Sequence, residues 1–336
     1  MEKNILRRNQ SLDLIKIFAM IGVMGLHSTL GQTETFMGFL ISRIFGISVP
    51  LFFMVSGYLL SMKNVDWKYS RRKIIGIARF CFLICFFYWF VFDLVKGSWP
   101  TEVFWDFMGG FFQHGHLWMF WYFGAMIVIY LLLPRFQKVM FGKKVLLGLF
   151  CMVSVTFCFN LLWGFEERFV NQTLRLWNWL FYFGIGGYLC KNSSPSNKVK
   201  SKYVSLMEIL GASSLFVLFS YILYDKLSGI EYYFGSLFCI IYAICLFVCV
   251  IKLPIKGNKL ISVLANLFLP VYALHWEVKI MLSFVDTTLY GMFSPLVDFV
   301  ILSMVTLLVS WLLMRIPVIK KIFNIPKIRN YHPIHD

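Results

Sequence analysis

Charge is scarce in this sequence: Asp, Glu, Lys and Arg make up 14% of its 336 residues, where a soluble domain carries roughly 25%. So few charges cannot clothe a water-exposed surface, and 59% hydrophobic residues are more than one soluble core of this length absorbs. Common enzyme signatures are missing too. There is no Walker A loop, no His-Glu-x-x-His, no Gly-x-Ser-x-Gly elbow and no Cys-x-x-Cys. No cysteine falls in a predicted outer loop. All eight (Cys81, Cys85, Cys151, Cys158, Cys190, Cys239, Cys245 and Cys249) lie in or at the ends of apolar runs, so they read as small buried hydrophobes rather than as disulfides or metal ligands. No internal repeat supports a transporter built from inverted halves.

What the sequence does have is long apolar runs, of the length an α-helix needs to cross about 30 Å of hydrocarbon. A transmembrane barrel would show short alternating segments instead. The runs predict an all-α, polytopic helical bundle of about ten transmembrane helices: 12–31, 47–62, 74–95, 116–134, 145–163, 173–190, 203–224, 233–251, 261–285 and 293–314. The second is short, and 36–46 before it reads as a half-helix or an interfacial helix. The first is too long and too polar for a cleavable signal peptide, and no small-x-small site follows it. A single membrane domain (1–336, helical core 10–316) is expected, with a short cytoplasmic tail at 317–336 and no appended soluble domain.

The net charge of +16 raises the question of nucleic acid, but the placement of the charges answers it. Lys and Arg concentrate in the N-terminal tail counted through Lys16, the loops after even-numbered spans (the first of these counted through Arg79) and the C-terminal tail. All but six of the 32 follow this rule, the six being Arg43, Lys96, Arg168, Arg175, Lys226 and Lys279. This is the positive-inside pattern of a membrane protein with both termini cytoplasmic, and no nucleic-acid partner is expected. The opposite side is acidic, with Glu34, Glu102, Asp106, Glu166, Glu167, Asp225 and Glu231.

Ionisable groups inside a span are costly, so each is a functional candidate. The first span, SLDLIKIFAMIGVMGLHST, carries Asp13, Lys16 and His27. Lys16 and His27 share one helix face, roughly 16 Å apart along the axis, and Asp13 can pair with Lys16 one turn away. The plain alternative is an interfacial ion pair and a helix-packing histidine.

This segment resembles the first span of the acyltransferase-3 family, membrane enzymes that acylate surface polysaccharides and related glycans, in which a basic residue, ten residues and a histidine recur. Four further stretches match in order. FFMVSGYLL resembles the family's second span, with Ser56 and Gly57. YSRRKIIGIAR supplies its Arg cluster, here Arg71, Arg72 and Arg79. GHLWMFWYFGAMIVIYLLLP resembles its Gly-His-x-Trp stretch, with His116 and Trp118, and LPVYALH its late span ending in His275. Lys16 stands where the family usually has Arg, replacing a bidentate contact by a point charge, and the proline often found after the Arg cluster is absent.

The resemblance implies an acyl-CoA donor, most often acetyl-CoA, entering from the cytoplasm, a surface or lipid-linked glycan acceptor, and a bacterial cytoplasmic membrane as the setting. No permanently bound cofactor or metal is expected. Arg71, Arg72, Lys73 and Arg79 would hold the donor phosphates, ordinary lipid-facing charge being the alternative. The pantetheine arm would pass Lys16 to reach His27. His27 would serve as general base toward a sugar hydroxyl or form an acyl-imidazole; Lys16 would position the donor. Glu34, Ser56, His116, Trp118, His275 and Asp13 are candidates for shaping the cavity or acceptor site. Two other readings stay open: a small-molecule or glycan exporter with Lys16 and His27 as a proton relay, and a non-catalytic partner of envelope-assembly proteins.

Overall fold

The computed structural model describes residues 9–96, 103–192, 202–227, 229–253, 255 and 258–323. The tail residues before 9, Glu102, most of the polar linker at 191–202 and the tail beyond 323 lie outside the described residues, as does the side chain of Lys96. Among those described there is no strand. The α-helices run in order α1 (Gln10–Ser28), α2 (Phe36–Ile44), α3 (Ser48–Ser61), α4 (Trp67–Lys96), α5 (Val103–Gly110), α6 (Trp121–Met140), α7 (Lys143–Trp163), α8 (Phe165–Phe169), α9 (Leu176–Asn192), α10 (Lys202–Ile222), α11 (Leu237–Ile251), α12 (Lys259–Asn266), α13 (Phe268–Leu282), α14 (Ser294–Leu313) and α15 (Pro317–Phe323).

Each apolar run of the sequence is helical. Among the described residues seven helical stretches are long and apolar enough to cross a membrane, or eight when the bent pair α12–α13 is counted as one span. The runs expected at 173–190 and 233–251 become α9 and α11, of 17 and 15 residues, shorter than the roughly 20 residues of a full crossing. The segment at 36–46 is not separate from the run that follows it. It joins α3 through a 3-10 turn at Phe45–Ile47, making one span from Phe36 to Ser61.

Contacts divide the chain into two compact units, Met1–Val55 with Ser194–Leu312 and Ser56–Ser193 with Leu313–Asp336. In the first, α1 packs against α2, α11, α12 and α13. Asn9 caps it by accepting from the N–H groups of Ser11 and Leu12, and Ile15, Ala19 and Met24 are fully buried. The 57° bend between α12 and α13 has a local cause. Pro270 lacks the N–H that would continue α12, and its ring would clash with the carbonyl four residues back. Arg43, fully buried, rests its guanidinium 4.9 Å from the ring centres of both Phe39 and Tyr233. The Tyr233 hydroxyl donates to the Leu227 carbonyl at 2.7 Å.

In the second unit the loop before α4 is fastened by Gln137 of α6. Its amide accepts from the Val65 N–H at 3.0 Å and donates to the carbonyls of Leu60 and Lys63. A second knot surrounds Glu166. Its carboxylate meets Arg175 at 3.4 Å and accepts from the Trp177 indole at 3.1 Å, both members of the ion pair being buried. Gly57 of α3 lies against α9 so closely that a Cβ there would overlap the Phe183 carbonyl oxygen, a close approach of backbones that small residues permit in membranes. Gly57→Val is therefore expected to destabilise the protein by about 1–3 kcal/mol, read as a lower midpoint of thermal unfolding in detergent.

Candidate functional site

The last turn of α1 and the middle of α13 bring two imidazoles together. The ring centres of His27 and His275 stand 4.7 Å apart at 54°, and the edge of Trp276 meets His27 at 5.8 Å. His275 is 1% exposed, and its Nδ1 lies 2.9 Å from the Tyr272 carbonyl and 3.2 Å from that of Val271. A carbonyl only accepts, so Nδ1 carries the proton. The lone pair of the neutral ring is thereby assigned to Nε2. Nε2 is buried and has no hydrogen-bond partner among the described residues.

One turn further along α13, Lys279 donates from Nζ to the His27 backbone carbonyl at 2.5 Å and lies 5.3 Å from the Trp276 ring centre. The same carbonyl accepts weakly from the Leu30 N–H at 3.4 Å, and the ammonium ties α1 to α13 beside both imidazoles. Asp298 of α14 accepts from the Gln32 amide at 2.9 Å and from the Thr287 hydroxyl at 2.8 Å.

At the other end of α1, Lys16 meets the buried carboxylate of Asp13 at 3.6 Å. The helix is unbroken between Lys16 and His27, so their common face holds as the spacing implied. Along it Met20, Val23 and Met24 join Phe52, Phe268, Val271, Tyr272 and His275 around a void of about 10 Å³, barely room for one water.

The remaining candidates have different surroundings. Glu34 is exposed and lines a separate groove of about 810 Å³ between α2 and α10, together with Phe36, Phe39 and Tyr221. In the second unit, the Ser56 hydroxyl lies 3.4 Å from that of Tyr122. His116 stacks on Tyr88, ring centres 3.9 Å apart, and half-buried Trp118 opens the 3-10 turn before α6. Arg71, Arg72 and Lys73 sit in the first two turns of α4 rather than in a loop as expected. The helix starts earlier than the apolar run because Asp66 caps it, accepting from the Tyr69 N–H at 2.6 Å. Arg71, Arg72 and Arg79 are exposed and Lys73 is half-buried, 5.8 Å from the Tyr69 ring centre.

The family model described as an acyltransferase domain, of the acyltransferase-3 type, matches residues 9–315. The chain belongs to that family. No curated protein and no solved structure matches it. As a membrane acyltransferase it places His27, the residue carrying the family resemblance of α1, against three groups of α13. Two of them, Trp276 and Lys279, were not among the site candidates drawn from the sequence, nor was Asp298. Lys279 was legible in principle: it is one of the six cations that break the inside rule, and it lies four residues after His275, on the same helix face.

Proposed function

We propose that this acyltransferase moves an acetyl group from cytoplasmic acetyl-CoA to a hydroxyl of an extracytoplasmic or lipid-linked glycan, with His27 as the catalytic base. The observation that carries the reading is the pairing of His27 with His275, whose tautomer is set by the backbone of its own helix. His27 takes the proton of the acceptor hydroxyl while its oxygen bonds to the thioester carbonyl carbon. The carbon–sulfur bond then breaks, and the imidazolium returns the proton to the leaving thiolate. His275 is a positioning residue, and Lys279 pins the turn from which His27 projects.

Arg71, Arg72, Lys73 and Arg79 receive the phosphates of the donor, and Lys16 with Asp13 marks the inner end of its path. The void beside Val23 is too narrow for a pantetheine arm. Met20 and Met24, unbranched and flexible, widen it by changing rotamer. Replacing Arg71 and Arg72 together by alanine is expected to raise KM for acetyl-CoA about 10–100-fold while kcat changes little, because each charge-assisted contact to phosphate contributes about 1.5–3 kcal/mol. Initial rates against donor concentration check this.

The decisive experiment supplies radiolabelled acetyl-CoA to the purified protein in vesicles, with surface glycan extracted from cells lacking the gene. Label is expected in the glycan as an ester released by mild base. Movement of glycan across the vesicle membrane without acetyl-CoA, and without labelled product, would instead establish an exporter.

A further inference from the structure

Beside the histidine pair lies a cavity of about 460 Å³, bounded by the end of α1, the end of α13, the segment 283–288 and the start of α14. Its size is within the range of about 300–1,000 Å³ that holds small organic ligands. Ser28 and Lys279 line it, the one adjacent to His27 in the chain and the other bonded to its carbonyl.

The polarity of the wall is one-sided. Thr287 donates to Asp298 at 2.8 Å, and Gln32 donates to the other carboxylate oxygen at 2.9 Å. Because Thr287 has spent its hydrogen on Asp298, the Ser294 hydroxyl 2.9 Å away must be the donor to Thr287. The donors of this chain thus converge on one carboxylate, and each of its oxygens keeps a further lone pair. Asp286 at the rim behaves alike. One of its oxygens accepts from both the hydroxyl and the N–H of Thr288 at 2.6 and 2.9 Å. These two bonds hold its carboxyl below the usual carboxylate range, and it is ionised at any physiological pH. Among the described residues that line the cavity the one cation, Lys279, is turned to the His27 carbonyl and the Trp276 ring. Leu30, Leu282 and Ile301 complete the lining with apolar surface.

A wall whose threonine hydrogens are used internally, and which sets two carboxylates against one ammonium, recruits ligands rich in O–H and N–H donors. It repels anions. We infer that this cavity is the acceptor subsite and that it takes an uncharged sugar residue, its hydroxyls donating to Asp298 and Asp286 and its apolar face on the leucines, in preference to a uronate or a phosphorylated unit. The inference rests on the acyl-transfer reading above for the word acceptor; occupancy itself is independent of turnover.

Ser283 lines the cavity, is exposed and donates only within its own helix, to the Ile280 carbonyl, so Ser283→Cys reports occupancy with little disturbance. The detergent-solubilised variant is labelled with a maleimide in the presence of maltotriose, chitotriose or trigalacturonate, with the unsubstituted protein giving the background of the native cysteines. Slower labelling with either neutral trisaccharide and unchanged labelling with trigalacturonate is expected. In the added presence of Asp298→Asn, the neutral sugar concentration giving half protection rises about tenfold. Protection by trigalacturonate equal to that by the neutral sugars, or protection by none of the three, overturns the inference. Since labelling reads binding alone, protection can fail while His27-dependent transfer persists, and the transfer reading can fail while protection holds.

Discussion

His27→Ala is expected to reduce acetyl transfer about 10²–10⁴-fold, the contribution of a positioned general base, while the amount of folded protein stays the same. The fold should survive because the contact that ties this turn to α13 is made by the His27 backbone carbonyl, not by its ring. The removed ring packs against the rings of His275 and Trp276, both carried by α13. His275→Ala should act differently. It leaves the base in place but takes away the neighbour that orients it, so a smaller fall in kcat, about tenfold, is expected together with a shifted pH–rate profile. His275→Asn, which can still donate to the Tyr272 carbonyl, should recover part of the rate. If His27→Ala retains full transfer and His275→Ala does not, the base has been assigned to the wrong ring.

The largest expected effect on stability lies away from that pair. Arg175→Ala strips the buried Glu166 carboxylate of its cation, leaving the Trp177 indole, and Asn178 at 3.4 Å, as its side-chain donors. Breaking a buried pair from one side costs about 3–5 kcal/mol, because the surviving charge is left in a medium that cannot solvate it. Arg175 also donates to the carbonyls of Glu166 and Val170 at 3.0 and 3.1 Å, so the loop between α7 and α9 loosens as well. Thermal unfolding in detergent should show a clear drop for Arg175→Ala. A smaller drop is expected for Glu166→Gln combined with Arg175→Met, which removes both charges and retains volume. Equal drops would mean that packing, rather than charge, holds this loop.

Much of the helical architecture was readable because bilayer thickness and the absence of water inside it impose long apolar helices. The boundaries were less so. The start of α4 was missed because hydropathy marks where a helix enters hydrocarbon, whereas the Asp66 cap decides where it begins, and a polar turn such as Trp67–Lys73 extends into water unnoticed. The joining of 36–46 to α3 was missed for a related reason: Gly46 and Pro50 look like breakers, yet the chain passes them with a 3-10 turn and stays in line.

Of the site, the α1 face was legible from spacing alone, since a single unbroken helix leaves no freedom between Lys16 and His27. The approach of α13 was not, because no local pattern states which helices meet. Charge out of place gave the missing clue. Three of the six cations that violate the inside rule turn out to be internal: Arg43 between aromatic rings, Arg175 against Glu166, and Lys279 on the turn of His27. A basic residue on the wrong side of a membrane protein is worth examining as an interior group before it is set down as an exception.

The amide of Gln137 has a bearing on the proposed donor contact that its position in α6 hides. By engaging three backbone groups of the segment ahead of α4, it holds the start of that helix in a ready geometry, so its arginines need not give up backbone freedom when a polyanion arrives. Ordering such a segment on demand would subtract from affinity. For the donor contact proposed above, loss of this clamp would mimic loss of a phosphate contact, raising KM for acetyl-CoA without removing any cation.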